Sequence, residues 1–148
     1  MATTRPGDDP AALTELYVEV QRFYARHLQA LDRGDVGEWA RGFTEDGVFR
    51  LPPPHEPLRG RAALAESLGR FMGAAEARGE RHRHWHGMLD VRPGPGGTVE
   101  ARCYALVILS TAEGSRLYRA CVCEDVFVRE DGDLRVRDRR VTRDDHLG

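Results

Sequence analysis

The residues best suited to chemistry lie in the segment Arg81-His82-Arg83-His84-Trp85-His86, which holds three of the chain's six histidines. Side chains two positions apart on a β-strand point to the same face, so a strand here would align His82, His84 and His86. A neutral imidazole can accept or donate a proton near pH 7, because its unperturbed pKa lies close to that value. We predict that at least one of them is a general acid or base in a pocket, and favour His84 because it lies inside the strand and not at its start.

Two other interpretations of the histidine row stay open. The first residues of the strand can be solvated, in which case a single histidine reaches the pocket. Alternate histidines on a strand can also share a zinc or iron ion, but such a site needs a further ligand that the sequence does not place. Our prediction is that the protein uses no metal and no cofactor.

Two tyrosines and a pair of carboxylates are the next candidates. Tyr24 lies on the apolar stripe of a predicted helix and Tyr104 in a predicted strand. Either hydroxyl could hold a substrate oxygen, with ordinary core packing as the alternative, because a buried tyrosine hydroxyl needs a partner. Glu124 and Asp125 are neighbours on another predicted strand, so their side chains point to opposite faces. One carboxylate therefore points inward, where it could act as a base or orient a histidine.

Cysteines and large apolar side chains are candidates for the pocket wall. The three cysteines, Cys103, Cys121 and Cys123, are expected to be reduced and buried. Because no nucleophile-activating motif lies near them, we predict a wall role for Cys121 and Cys123. Apolar residues in this set can equally belong to the core. The predicted substrate-binding residues are His86, Trp39, Phe43, Phe49, Leu51, Phe71, Cys121, Cys123 and Asp125.

The spacing of apolar residues predicts the helices that must position these groups. Over residues 10–31 they recur at three- and four-residue steps, which predicts an amphipathic helix that Asp9 caps and Gly34 ends. A short helix is predicted over residues 35–43 and a third helix over residues 61–77. Between them the sequence predicts a turn over residues 44–47 and a short strand over residues 48–51.

After residue 79 the apolar period changes from 3.6 to 2, which indicates strands. The predicted strands cover residues 82–91, 98–111, 116–129 and 134–142, with hairpin turns at Glu113-Gly114 and Asp131-Gly132. Helices followed by a meander of long strands predict an α+β fold. We expect a cone-shaped, curved antiparallel sheet with the N-terminal helices covering a pocket.

Length and composition narrow the class of protein. The chain has 148 residues, the length of one ordinary domain, and its net charge is −2 with both signs interspersed. The sequence has no basic patch that would indicate a nucleic-acid partner. It also has no run of ~20 apolar residues that would indicate a membrane span. We predict one domain over residues 11–145 after a flexible N-terminus of residues 1–10. Without a signal peptide, the expected location is the cytoplasm.

Short motifs spread along the chain resemble the SnoaL-like branch of the NTF2-like superfamily. The resemblance covers about residues 11–145 and implies a cystatin-like roll, a cone of antiparallel sheet with helices at its mouth. Members of the superfamily include scytalone dehydratase, polyketide cyclases, ketosteroid isomerase-like proteins and the small subunit of ring-hydroxylating dioxygenases. The motifs are Tyr24, Ala30-Leu31-Asp32-x-Gly34-Asp35, Phe43-Thr44-x-Asp46-Gly47-x-Phe49, Gly60-Arg61, Arg83-His84, and Asp125-x-Phe127 before Asp131-Gly132.

Residue by residue, the chain is most similar to the scytalone dehydratase and dioxygenase small-subunit side. His84 falls where scytalone dehydratase has one of its two pocket histidines, and Asp32 falls near its helix carboxylate. Tyr104 falls near the second histidine. Cys121 and Cys123 fall near a polar serine and asparagine, so the chain departs from the dehydratase pattern at these positions.

The residues and the resemblance together predict a cofactor-independent enzyme of secondary metabolism. It would cyclise, dehydrate or isomerise a hydrophobic, polyketide-like intermediate, with His84, Tyr24, Asp32 and Tyr104 as its catalytic residues. The carboxylate base of the steroid isomerases would fall at about Leu51, which argues against an isomerase of that type. The alternative is a non-catalytic small subunit of a ring-hydroxylating oxygenase, or a small-molecule-binding dimerisation module. A homodimer without nucleic-acid or membrane partners is expected.

Overall fold

Three α-helices, one short 3₁₀-helix (Pro95–Gly97) and six strands make up the computed structural model, which describes residues 9–145. The predicted flexible N-terminus covers residues 1–10, of which residues 1–8 lie outside the described part. The helices are α1 (Pro10–Asp32), α2 (Val36–Arg41) and α3 (Arg61–Ala77). The strands are β1 (Phe43–Arg50), β2 (Leu58–Arg59), β3 (Arg81–Pro93), β4 (Val99–Thr111), β5 (Gly114–Glu130) and β6 (Asp133–Arg143).

The first helix forms where the apolar period and its capping residues predict it. The Asp9 side chain accepts a hydrogen bond from the Ala11 amide at 3.2 Å, and Pro10 occupies the first turn. Gly34, with φ of 85°, follows the helix end and lets the chain turn back into α2. The buried face of α1 then lies against the sheet, which gives the predicted layer of helix over strands. Its buried residues are Val20, Tyr24, His27, Leu28, Ala30 and Leu31.

One open sheet forms the second layer, in the order β2-β1-β6-β5-β4-β3. Strands β3 to β6 form the predicted antiparallel meander, and the α+β architecture is confirmed. The sheet is mixed and not wholly antiparallel, because β1 runs parallel to β6. Gly42, which directly follows α2, lies beside the start of β6. There the Val136 amide donates a hydrogen bond to the Gly42 carbonyl oxygen at 2.8 Å.

The strand β1 differs from its prediction. It begins at Phe43 and includes residues 44–47, for which the sequence predicts a turn. Its pairing with β6 shifts register between Phe43 and Val48, so these residues form an irregular stretch within the strand. The turn-forming residues 44–47 therefore form a bulge within β1, and not a turn before the strand begins.

The two faces of the sheet differ in burial, because neighbouring residues on a strand point to opposite sides. On β4, Cys103 and Ala105 are buried against the helical layer. On the outer face, Trp85 is 51% exposed and Tyr104 is 48% exposed. Within residues 9–145, no helix combines the length and apolar composition that a membrane crossing requires.

Gly42 shows how tightly the helical layer fits the sheet. A β carbon at this position would lie 2.5 Å from His27 Nδ1 and 3.1 Å from the Trp39 carbonyl oxygen. His27 cannot move aside easily, because its Nε2 lies 3.0 Å from a guanidinium nitrogen of Arg139. The backbone angles of Gly42 suit any residue, so space alone decides the outcome.

We expect Gly42→Ala to lower the free energy of unfolding by about 1–3 kcal/mol, the usual cost of overpacking a core. Urea denaturation followed by circular dichroism measures the change. Gly73→Ala is the matched control, since nothing lies within 4 Å of a β carbon there. That control should stabilise helix α3 by about 0.5–1 kcal/mol. Equal effects of the two variants would contradict this account.

Candidate functional site

The side chain of His84 forms a close pair with Asp32. Asp32 Oδ1 lies 2.7 Å from His84 Nδ1, and Asp32 Oδ2 accepts a hydrogen bond from the His84 amide at 3.1 Å. The Asp32 side chain is 6% exposed and the His84 side chain is 20% exposed. When Asp32 is ionised and the His84 ring is neutral, Nδ1 carries the hydrogen, because a carboxylate only accepts hydrogen bonds. The lone pair of Nε2 is then left to accept a proton.

The ends of two elements bring this pair together. Asp32 is the last residue of α1, held there by the tight return of the chain into α2. His84 lies on β3, the strand at the open edge of the sheet. At this edge of the described sheet, no neighbouring strand accepts the hydrogen bond of the His84 amide, so the Asp32 carboxylate accepts it instead. The carboxylate therefore fixes both the backbone and the ring of His84.

His84 faces a cavity of about 350 Å³ at the mouth of the fold. Its walls come from the proline-rich loop after β1, from α3 and from strands β3 to β6. A space of this size suits a small molecule. The lining residues are Leu51, Pro52, Pro53, Pro54, His55, Phe71, His82, His84, Val107, Tyr118, Arg119 and Arg143.

A second histidine, His82, lines the same cavity. Its ring stacks between the rings of Phe71 and Tyr118, at centroid distances of 5.4 Å and 5.6 Å. It is 3% exposed, and within residues 9–145 neither ring nitrogen has a hydrogen-bond partner. Burial, and next the repulsion that a protonated His84 would exert, lowers the pKa of His82, so its ring is neutral at pH 7. A ligand oxygen is the natural partner for such a ring.

Deeper in the fold, Asp125 and Arg139 form a buried ion pair. Arg139 donates from Nε to Asp125 Oδ1 at 2.8 Å and from Nη2 to Oδ2 at 2.9 Å, and each residue is 2% exposed. The Tyr24 hydroxyl donates to Asp125 Oδ2 at 2.7 Å. Burial, and then the charge of Asp125, raises the pKa of Tyr24 well above its usual value. Tyr24 and Asp125 therefore hold each other, and neither lines the cavity.

A cluster of sulfur and imidazole lies beside this ion pair. His86 Nδ1 is 3.5 Å from Cys103 Sγ, and both lie within 4.8 Å of Cys123 Sγ. Hydrogen bonds with Cys123 and His86 lower the pKa of the Cys103 thiol. A tetrahedral metal ion would need a fourth ligand. The adjacent carboxylate of Asp125 is already bound by Arg139, so the arrangement fits a hydrogen-bonded cluster better than a metal centre.

Several residues predicted to bind substrate lie outside the cavity. Trp39, Phe43 and Phe49 pack together, with ring centroids of Trp39 and Phe43 at 5.0 Å, and the first two are at most 1% exposed. They stabilise the core beneath the site. Cys121 is buried between Ala105 and Arg143 in the sheet register and does not line the cavity either. These four residues, and His86, Cys123 and Asp125, do not line this cavity, so their role in substrate binding stays a prediction.

Tyr104 is the clearest correction. It pairs with Gly87 on β3 and Val122 on β5, one position out of step with the inward-facing Cys103 and Ala105. Its side chain therefore points to the outer face of the sheet and cannot reach His84. Of the predicted site residues, the structure brings together His84, Asp32, Leu51 and Phe71.

Among the cavity residues that sequence reasoning did not place are Tyr118, Arg119 and Arg143. The register of β4 and β5 shifts between Val107 and Ile108, which leaves Tyr118 as an extra residue on β5. Strict alternation assigns only one of Tyr118 and Arg119 to the inner face, yet both line the cavity. No signal in the amino-acid sequence marks such a bulge.

A larger depression, of about 690 Å³, lies between α1, α2 and the start of β6. Its wall is rich in charges of both signs, including the Glu38–Arg41 ion pair. Among the described residues, none that lines this depression forms a side-chain hydrogen bond with His84. The smaller cavity is the better candidate site, because it contains an oriented histidine and a second one without partners.

Comparisons with known proteins support the fold described above. A family model described as SnoaL-like domain matches residues 12–140. A solved structure from Catenulispora acidiphila, in complex with S-DNPA, is 37% identical, with 89% of this chain and 96% of that chain covered and a TM-score of 0.81. No curated protein gives a significant match.

Two further solved structures are similar. ActVI-ORFA from Streptomyces coelicolor is 35% identical, with 88% of this chain and 98% of that chain covered and a TM-score of 0.82. An NTF2-like protein with a cystatin-like fold from Novosphingobium aromaticivorans is 25% identical, with 95% and 91% covered and a TM-score of 0.79. The cystatin-like roll implied by the sequence resemblance is thus confirmed.

Proposed function

This chain belongs to the SnoaL-like domain family, and from that premise we propose that it is a cofactor-independent enzyme of acid–base chemistry. Its substrate is a small, hydrophobic, polyketide-like intermediate, which it cyclises, dehydrates or isomerises. The observation that carries the proposal is the Asp32–His84 pair, joined at 2.7 Å, on the wall of a 350 Å³ cavity. The expected location is the cytoplasm.

In the proposed mechanism, His84 Nε2 takes a proton from a carbon next to a substrate carbonyl. Asp32 holds the opposite side of the ring and stabilises the imidazolium that forms. The imidazolium then returns the proton, to a departing hydroxyl in a dehydration or to another carbon in an isomerisation. Acid–base help of this kind is worth about 10²–10⁴-fold in rate.

His82 binds the substrate in this scheme. Its ring is neutral, buried and clamped between Phe71 and Tyr118, so its orientation is set before substrate enters. One of its nitrogens can donate to the carbonyl oxygen on which negative charge develops. Such preorganised donors act strongly in a site that excludes water.

The proposal is tested on a bicyclic aromatic β-hydroxyketone as a model substrate, with no cofactor added and with chelator present. We expect a product lighter by one water, detected by mass spectrometry, and deuterium uptake at the carbon beside the carbonyl in heavy water. Both should be faster than in buffer alone. Rates equal to those of the buffer for a panel of such ketones would contradict an acid–base enzyme.

A second candidate function is a non-catalytic partner subunit or a dimerisation module. The observation that favours it is the set of large apolar side chains on the outer sheet face, where Trp85, Tyr104 and Leu117 are 51%, 48% and 58% exposed. A second copy of the chain would bury this face in the expected homodimer. Light scattering of the purified protein separates a monomer or homodimer from a protein that needs a larger partner.

A further inference from the structure

Two of the three cysteines lie directly opposite each other in the sheet. Cys103 on β4 pairs with Cys123 on β5, and both side chains are buried on the inner face. The Cα atoms of opposed residues in an antiparallel pair are about 4.5–5.5 Å apart, which is within the range that a disulfide spans. The two sulfur atoms lie within 4.8 Å of each other. Rotation of the side chains can therefore bring them into contact while the strands stay paired.

The surroundings of this pair make the two thiols unequal. Hydrogen bonds with Cys123 and His86 lower the pKa of the Cys103 thiol, which favours the nucleophilic thiolate. The hydrogen bond with Cys103, burial and the charge of Asp125 raise the pKa of Cys123 well above its usual value, so Cys123 keeps its hydrogen. A thiolate beside a protonated thiol is the arrangement of an attacking and a resolving cysteine.

Burial limits the reagents that can reach the pair. Cys103 is 1% exposed and Cys123 is 0% exposed, whereas the neighbouring His86 is partly exposed. A molecule little larger than water can reach Cys103 beside His86 when the packing opens locally. A tripeptide disulfide such as oxidised glutathione is too large for such an opening. The packing therefore selects a hydroperoxide as the oxidant.

We propose that Cys103 and Cys123 form a peroxide-sensitive dithiol, which hydrogen peroxide converts into a reversible disulfide between β4 and β5. The Cys103 sulfur attacks one peroxide oxygen, the O–O bond breaks, and the other oxygen leaves as hydroxide, which takes a proton to become water. The Cys123 sulfur then attacks the sulfenic acid on Cys103, whose hydroxyl group leaves with the Cys123 hydrogen as a second water. Two thiols are thus oxidised and one peroxide is reduced.

Trypsin digestion and mass spectrometry of the whole protein provide the test. Cleavage after arginine places Cys103 in the peptide 103–116, and Cys121 with Cys123 in the peptide 120–129. The folded protein is treated with hydrogen peroxide, unfolded in the presence of an alkylating reagent, and digested. We expect the two peptides to be joined in protein that runs as a single chain on a non-reducing gel, and to separate after reduction with dithiothreitol.

The variant Cys121→Ser is the matched control, because Cys121 lies opposite Ala105 and not opposite a thiol. It should form the disulfide as fully as the wild type does. Cys123→Ser should lose the disulfide and keep a sulfenic acid on Cys103, which dimedone labels. Oxidised glutathione in place of the peroxide should leave the wild-type thiols free.

The pH dependence of the reaction reports which form of Cys103 attacks the peroxide. Between about pH 6 and pH 8, we expect the rate of disulfide formation to change by less than about tenfold, because the thiolate is already present. An ordinary thiol, with a pKa of about 8.5, would react about a hundredfold faster at the higher pH. A change of that size would remove Cys103 from the attacking role.

Three results with peroxide would overturn the proposal: thiols that all stay free, a disulfide that requires Cys121, or Cys103 oxidised only to sulfinic acid. A covalent dimer on the non-reducing gel would also overturn it, since the bond would then join two chains. These readings need only the wild type and Cys121→Ser, so they stand even where Cys123→Ser folds poorly.

Discussion

His84→Asn lowers turnover by about 10²–10⁴-fold while the protein stays folded, because the variant removes the group that moves the proton. The asparagine side chain fits the space and can still donate to Asp32, so the carboxylate is not left without a partner. Turnover of the β-hydroxyketone by wild type and variant measures the loss. A circular dichroism spectrum and a urea midpoint matching wild type show that the loss is chemical and not structural.

Asp32→Asn tests the same pair from the other side. The amide nitrogen of the new side chain can donate to His84 Nδ1, which would place the ring hydrogen on Nε2. That tautomer cannot accept the substrate's proton, so most of the loss seen for His84→Asn should recur. Arg83→Gln is the matched control, since its side chain is exposed on the opposite face. Near wild-type turnover in both Asp32→Asn and His84→Asn would remove this pair from the mechanism.

The helical half of the fold was predictable because its signals are local. The third helix, predicted over residues 61–77, spans Arg61–Ala77, and the first is extended by only one residue, to Asp32. Apolar period, an Asp cap and a following glycine all act within one turn of the residues they specify. The long strands were predictable for the same reason, since alternation is a property of neighbouring residues.

The site was only partly predictable because it depends on contacts between distant residues. Asp32 and His84 are 52 positions apart, and only the family resemblance singled out Asp32. The pairing of Asp125 with Arg139 follows from the register of two strands, as does the outward direction of Tyr104. A single bulge in β5 was enough to bring Tyr118 to the cavity, where alternation would have turned it outward. Register and bulges are set by the whole sheet, so local patterns do not contain them.

Asp125→Ala lowers the free energy of unfolding by about 3–5 kcal/mol, because it leaves the Arg139 guanidinium buried without a counter-charge. The pair is inaccessible to water, with side chains 0% and 3% exposed, so solvent cannot replace the lost partner. The Tyr24 hydroxyl loses its acceptor in the same variant. Urea denaturation followed by tryptophan fluorescence measures the change.

The matched control for this variant is Asp138→Ala, which breaks the half-exposed pair of Asp138 with Arg50 on the neighbouring strands. Its side chains are 33% and 34% exposed, so water can replace the bond and the expected loss is about 0–1 kcal/mol. The double variant Asp125→Leu with Arg139→Met should regain much of the stability, since two apolar side chains need no partner. A small loss for Asp125→Ala, equal to that of the control, would mean that the buried pair does not hold the sheet to α1. In that case Asp125 would be available to the cavity after all, and the division between a supporting interior and a reacting mouth would have to be redrawn.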